Sequence, residues 1–134
     1  DEIRERVEGI QTKVQNAKIE TEKVLVRAHL DIAAAMQAGA SDEDLAQART
    51  LVRHAQYRWD FVSSHNGVGF HAPQECTRIL GDAARQAQEA RLIAARLLAA
   101  KGISTEPRYP DISTRKKAVE VIGAFEAGQP MDLL

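Results

Sequence analysis

Apolar and small residues recur at alternating steps of three and four along three long stretches of this chain, and this spacing constrains the fold more than any other feature. Because an α-helix turns once in about 3.6 residues, such steps place these side chains on one face of a helix. A heptad repeat of this kind is typical of helices that pack side by side in bundles and coiled coils. The three repeats, called the heptad faces below, predict an all-α chain of long antiparallel helices. Their positions are Ile3, Val7, Ile10, Val14, Ala17, Thr21, Val24 and Ala28, then Leu45, Ala48, Val52, Ala55, Trp59 and Val62, then Cys76, Leu80, Ala83, Ala87, Ala90, Ala94 and Leu97.

Capping and helix-stopping residues divide the chain into four predicted helices. Gly39 and Gly102 predict the ends of the first and third helices, since glycine readily takes the left-handed conformation that follows a helix. Ser41 and Asp44 resemble a capping box at the start of the second helix, and Pro73 suits the first turn of the third. We expect one helical domain over residues 1–134, whose heptad faces pair two protomers, chiefly through the first and third helices. The predicted helices are about 1–38, 42–64, 73–101 and a short fourth at 113–127, followed by a loose tail from residue 128.

Composition and missing motifs exclude several classes of function. The net charge of −1 at pH 7 lacks the basic excess of nucleic-acid-binding proteins. No apolar run is long enough to span a membrane. The single cysteine, Cys76, cannot form an internal disulfide. The chain contains no CxxCH, CxxC, HExxH or P-loop motif, so no independent catalytic site is visible.

The connection between the second and third helices is the best place for a chemical site. His65 and His71 bracket Gly67 and Gly69, and these glycines would let a flat cofactor approach the backbone. His71 lies just before a predicted helix N-terminus, whose positive end disfavours imidazolium and favours the neutral ring that ligates metals. From the residues alone, several interpretations stay open: a metal ligand at His71, a stand-alone metal site of His65 and His71, or a loop without a ligand.

Other noticeable side chains have ordinary structural interpretations. His29 and His54 lie inside helices and are interpreted as flanking or partly buried residues. Cys76 and Trp59 occupy heptad-face positions, which favours a buried thiol and core packing. Gly81, inside the third helix, indicates either a close contact or a tolerated glycine.

Four separated motifs keep the order and spacing of a known family. They are Arg53-His54-Ala55-Gln56-Tyr57-Arg58-Trp59-Asp60, His71-Ala72-Pro73-Gln74-Glu75, Leu97-Leu98-Ala99-Ala100-Lys101-Gly102-Ile103 and Pro110-Asp111-Ile112-Ser113-Thr114. Over roughly residues 20–123 the chain resembles the C-terminal helical region of the ammonia-forming cytochrome c nitrite reductases. That resemblance implies a periplasmic pentahaem enzyme that reduces nitrite to ammonium, in which long C-terminal helices form most of a homodimer interface.

The resemblance also implies a role for one histidine. In the family, the histidine of a His-Ala-Pro or His-x-Pro motif is a distal axial ligand of an electron-transfer haem, and the matching residue is His71. The resemblance assigns no catalytic residue to this chain. The family's substrate-contacting residues and calcium ligands lie upstream of the matching region.

The missing motifs qualify what the chain can do by itself. Without CxxCH or CxxCK it cannot attach haem c, so the haem would be attached elsewhere. We therefore expect the C-terminal part of a larger multihaem cytochrome c, inactive and without a bound cofactor when isolated. Its expected partners are the haem-bearing N-terminal portion of the same protein, a second protomer and a redox partner of the parent enzyme. A cofactor-free helical dimerisation module is the chief alternative.

Overall fold

Four helices make up most of the chain, and no strand occurs among the residues that the structure describes. The structure is a computed structural model that describes residues 1–64, 72–129 and 131–134, and of residue 125 only the backbone. The prediction of an all-α chain with a short fourth helix is confirmed, and the helix ends lie within two residues of the predicted ones. The helices are α1 (Glu2–Gln37), α2 (Asp42–Ser64), α3 (Pro73–Ala100) and α4 (Arg115–Glu126).

The predicted helix signals act as expected. The Ser41 hydroxyl accepts a hydrogen bond from the Asp44 amide at 3.1 Å, and the Asp44 carboxylate accepts one from the Ser41 amide at 3.2 Å. This reciprocal pair is a capping box at the start of α2, and its bonds hold the pKa of Asp44 below the usual value. Gly39 and Gly102 follow α1 and α3 with φ of +99° and +81°. Both take the left-handed conformation that lets the chain turn away from a helix end.

The three long helices pack against each other with α2 running opposite to α1 and α3. In the contacts between α1 and α3, a higher residue number on one helix meets a higher number on the other. In the contacts between α1 and α2, a higher number on α1 meets a lower number on α2. α2 is therefore antiparallel to α1 and to α3, as predicted, and α1 and α3 are parallel. The contacts that define these directions are Thr21 with Leu80, Asp31 with Arg91, Lys18 with Trp59 and His29 with Gln56.

The heptad face of α3 is buried inside the chain, between α1 and α2. Its residues from Cys76 to Ala94 are all inaccessible to solvent or nearly so. The alanines among them allow the neighbouring helices to approach closely. Leu98, rather than the predicted Leu97, is the buried residue that ends this face. The expectation that heptad faces pair protomers therefore fails for α3, because helices of the same chain already cover it. Gly81 meets no atom within 4 Å of its would-be Cβ, so it is a tolerated glycine.

The core is divided into a large and a small cluster. The large one runs along all three long helices. The small one, at the end of the bundle where α2 stops and α3 starts, consists of Val14, Val62, Cys76 and Leu80. Trp59 is half-buried and packs against both. The first turns of α1 extend past the small cluster, and Ile3 remains 74% exposed.

The tail is held in place, contrary to expectation. Leu133 is only 1% exposed and belongs to the large cluster. The Gln37 side chain bonds the backbone at Met131 and Leu133. Position near the end suggested a loose segment, but the buried Leu133 side chain and the backbone hydrogen bonds to Gln37 and Arg108 act together to order residues 131–134.

Candidate functional site

The predicted site lies between α2 and α3, in residues 65–71. These residues, which include His65 and His71, lie outside the described residues, so the site is approached here from the two helix ends beside it. On one side α2 ends at Ser64. On the other, Ala72 is the N-cap of α3, Pro73 follows at its first position, and the Ala72 carbonyl accepts the first helical bond from the Cys76 amide at 3.0 Å. A residue immediately before Ala72 in sequence therefore directly precedes the positive end of α3.

The first turn of α3 contains one acidic residue, Glu75, and that residue is already paired. Glu75 stands three residues after the N-cap, where a capping-box carboxylate would reach back to the Ala72 amide. Here its carboxylate instead accepts two hydrogen bonds from the Arg78 guanidinium, at 2.5 and 3.1 Å. These bonds hold the pKa of Glu75 below its usual value. A carboxylate neutralised in this way contributes little negative field to offset the helix N-terminus, which still favours a neutral imidazole nearby.

The small core cluster anchors both ends of the 65–71 segment to α1. Val62 lies one turn before the segment and Cys76 one turn after it, and both pack with Val14. The Trp59 indole N–H donates to the Lys18 carbonyl at 3.0 Å, and the Thr21 hydroxyl donates to the Leu80 carbonyl at 3.5 Å. Both flanking helices are thus tied to α1.

Cys76 is a structural residue of this cluster. It is a free, buried cysteine, as predicted. Burial, and secondarily the neighbouring Glu75 charge, raises the pKa of its thiol. A thiol that stays protonated and out of solvent is a poor metal ligand. Cys76 therefore packs the end of the bundle.

The two described histidines, His29 and His54, are exposed, which fits the flanking position expected of them and not partial burial. Each lies one position off a heptad face, which is enough to turn it to solvent. The His29 ring contacts the Gln56 amide oxygen at 3.4 Å. Within the described ranges no three histidine, cysteine, aspartate or glutamate side chains come together as a metal site. The hypothesis of a stand-alone metal site at His65 and His71 lies outside those ranges.

A buried charge network joins α1, α3 and the linker after α3, and sequence reasoning missed it. The Asp31 carboxylate accepts hydrogen bonds from Arg91 Nε at 2.8 Å and from the Tyr109 hydroxyl. The Arg27 guanidinium lies 5.4 Å from the centre of the Tyr109 ring. Burial lowers the pKa of Arg91, but its bonds to Asp31 and Tyr109 outweigh that effect and leave the pKa raised. The available signal was an aspartate among apolar residues of α1, which alone does not name its partners.

The comparison with protein families identifies the family of this chain. A family model described as cytochrome c552 matches residues 1–129. The chain belongs to the cytochrome c552 family. This family is associated with nitrite reductase activity and with haem c, and its members are typically extracytoplasmic. The match confirms the resemblance seen in the four motifs and extends it over the first twenty residues.

The helices themselves agree with the expected absence of a membrane span. Among the described residues, none of the helices combines the length and the apolar character that crossing a bilayer requires.

Proposed function

We propose that this cytochrome c552 family chain is the C-terminal helical part of a cytochrome c nitrite reductase and supplies His71 as the distal ligand of a haem iron. The observation that carries the proposal is the family match over residues 1–129, together with His71-Ala72-Pro73 at the start of α3. The parent enzyme would reduce nitrite to ammonium. No catalytic residue is assigned to this chain, which would be inactive alone.

The haem c would be attached outside this chain, since the 134 residues contain no CxxCH. When bound, it would supply one-electron transfer, and the His71 imidazole would serve as a ligand of its iron. The parent would be periplasmic and would receive electrons from a redox partner. It would hold calcium through ligands that are not in this chain.

The described surroundings of the segment fit a group that arrives from outside. The Ser63 hydroxyl is buried and has no hydrogen-bond partner among the described residues, although buried hydroxyls are normally paired. On the outward side of α2, Tyr57 is 72% exposed. Tyrosine is enriched where protein surfaces meet, so this ring is a candidate contact for a partner surface. We infer that the haem-bearing portion of the same protein covers this end of the bundle.

The chain's own part in the site is to hold an imidazole. The N-terminus of α3 favours the neutral ring, and the Glu75–Arg78 pair removes a carboxylate that would favour the cation. The small cluster of Val14, Val62, Cys76 and Leu80 fixes the two helix ends that carry the ring. Fixed helix ends on both sides would lower the entropy cost of placing an imidazole between them on an iron.

The proposal is tested with a ferric haem peptide that carries its own proximal imidazole and has one open axial position. Titrating it with the whole chain should convert the haem to the six-coordinate, low-spin form, followed by the Soret band. His71→Ala should cause the largest loss of affinity. His29→Ala and His54→Ala are matched controls, because both rings are exposed on described helices. Equal affinity in His71→Ala and the wild-type chain, at equal helical circular dichroism, would contradict the ligand assignment.

We further propose that the homodimer uses outward-facing residues of α1 and α3. Because the heptad face of α3 is buried within the chain, it cannot contact a second protomer. The apolar residues of α1 and α3 that remain exposed for such a contact include Ile3, Ile19 and Leu92. The same exposed Ile3 also favours the alternative of a cofactor-free dimerisation module. Sedimentation of the chain that shows a dimer, together with a haem-peptide titration indifferent to His71, would support that alternative.

A further inference from the structure

Residues 131–134 are bound by the rest of the chain as an extended peptide is bound by a receptor. The Gln37 side-chain amide donates to the Met131 carbonyl at 2.5 Å, and its oxygen accepts from the Leu133 amide at 3.3 Å. The Arg108 backbone amide donates to the Leu133 carbonyl at 2.8 Å. Three backbone groups within three residues are therefore paired, two of them by one side chain.

The side chains of this segment alternate as those of an extended strand do. Met131 packs against the large cluster and Leu133 is buried in it. Asp132 and Leu134 face outward, with Leu134 38% exposed and Asp132 lying 3.6 Å from the Arg108 guanidinium at the surface. Backbone hydrogen bonds that give affinity, with pockets for alternate side chains that give specificity, are the means by which extended peptides are recognised.

The helix before this segment is held much less closely. A cavity of about 530 Å³ separates part of α4 from α1 and α2. On α4 itself, Val119 and Ile122 remain exposed. The cavity is lined mainly by apolar residues, which include Leu25, Leu30, Trp59, Val121, Ile122 and Met131. Residues 131–134 are therefore anchored more firmly than α4. The packing of α4 does not explain why these residues are bound.

We propose that Gln37, Arg108 and the pocket around Leu133 form a recognition site for an extended peptide with one buried leucine, and that the chain fills it with its own residues 131–134. The occupied site acts as a latch. It holds the far end of α4, so that α4 lies as a strap over the apolar cavity. The covalent tether raises the effective concentration of the segment at the site, so weak individual contacts suffice. This inference does not depend on the proposed function.

The first test compares two adjacent leucines in the whole chain. Leu133→Asp places a charge in the core, whereas Leu134→Asp, the matched control, changes a residue at the surface. Protection of α4 amides against hydrogen exchange should fall about 10- to 100-fold in Leu133→Asp, from the lost burial of one leucine. It should not change in Leu134→Asp. The single tryptophan, Trp59, lines the cavity, so its emission should shift to the red only in Leu133→Asp.

The second test separates recognition from latching. A synthetic peptide of residues 129–134 is added to the Leu133→Asp variant. The peptide should shift the resonances of the Arg108 amide and the Gln37 side-chain amide in nuclear magnetic resonance spectra, while the α4 amides stay unprotected against hydrogen exchange. A peptide with aspartate in place of the buried leucine should leave these resonances unshifted.

Three results would overturn the proposal: equal α4 protection in the two leucine variants, no response to the peptide, or a response that the aspartate peptide reproduces. If Leu133→Asp does not fold, Gln37→Ala replaces it, with loss of α4 protection expected and unchanged protection counting against the latch. A Leu133-dependent dimer in sedimentation would transfer the site to a second copy and refute occupation by the same chain.

Discussion

The Asp31–Arg91–Tyr109 network should be a main determinant of the stability of this chain. The Asp31 side chain is 7% exposed and the Arg91 side chain 21% exposed. Removing one member of a fully buried ion pair costs about 3–5 kcal/mol. Because the Arg91 guanidinium keeps some access to water, Asp31→Ala should lower the free energy of unfolding by about 2–4 kcal/mol, toward the lower part of that range. Urea denaturation followed by helical circular dichroism measures this directly.

A second substitution separates the hydroxyl from the ion pair. Tyr109→Phe keeps the ring over Arg27 and removes two hydrogen bonds, the one that the hydroxyl donates to Asp31 and the longer one that it accepts from Arg91 at 3.4 Å. We expect a loss of about 1.5–3 kcal/mol, chiefly from the bond to the charged acceptor. Because both substitutions break the same bond, the double variant should lose less than the sum of the single ones. A coupling energy of about 0.5–3 kcal/mol is expected for residues in one network. Additive losses would mean that the hydroxyl and the carboxylate stabilise the chain independently.

An exposed ion pair on the same helix provides the control. Arg85 and Glu89 lie 2.7 Å apart with both side chains largely in solvent. Exposed pairs contribute about 0–1 kcal/mol, so Glu89→Gln should hardly change the unfolding curve. If Asp31→Ala cost no more than Glu89→Gln, the reasoning from burial to stability would be refuted for this network.

Further predictions concern single positions. Gly81→Ala should raise the free energy of unfolding by about 1 kcal/mol, because the site is helical and a Cβ there meets no atom; a lower midpoint in thermal denaturation would contradict the open space. Ser41→Ala should lower the free energy of unfolding by about 0.5–2 kcal/mol, because α2 loses its cap. An unchanged midpoint in thermal denaturation would show that the cap is dispensable. Burial and the bond to Asp31 raise the pKa of Tyr109 above its ordinary 10.0. The Tyr109 hydroxyl therefore contributes its full stabilisation below pH 10, and this stabilisation is lost as the pH rises through the folded-state pKa. The reason is that Tyr109 ionises at a lower pH in the unfolded chain than in the folded one. Denaturation between pH 9 and 11 should show a fall that is steeper in the wild-type chain than in Tyr109→Phe.

Heptad spacing was sufficient to predict the helices because burial on one face leaves a period in the sequence. Leu80 and Ala87 are buried for the reason that their spacing indicated. The same spacing could not identify what covers a heptad face, since a helix of the same chain and one of a partner satisfy it equally. The network at Asp31 was not predictable either. It joins residues 60 and 78 positions apart in sequence, which no local period encodes.

The burial of the α3 heptad face also bears on how the candidate ligand would be positioned. If that face joined two protomers, the start of α3 would depend on dimerisation, and an isolated chain would not hold His71 in place. Because Cys76 and Leu80 pack instead against Val14 of the same chain, the end of the bundle that carries the segment is complete within one chain. Ligation of a haem peptide and self-association should therefore be separable. A substitution on the outward side, such as Leu92→Asp, should weaken a dimer and leave the haem titration unchanged, whereas Leu80→Asp should impair both.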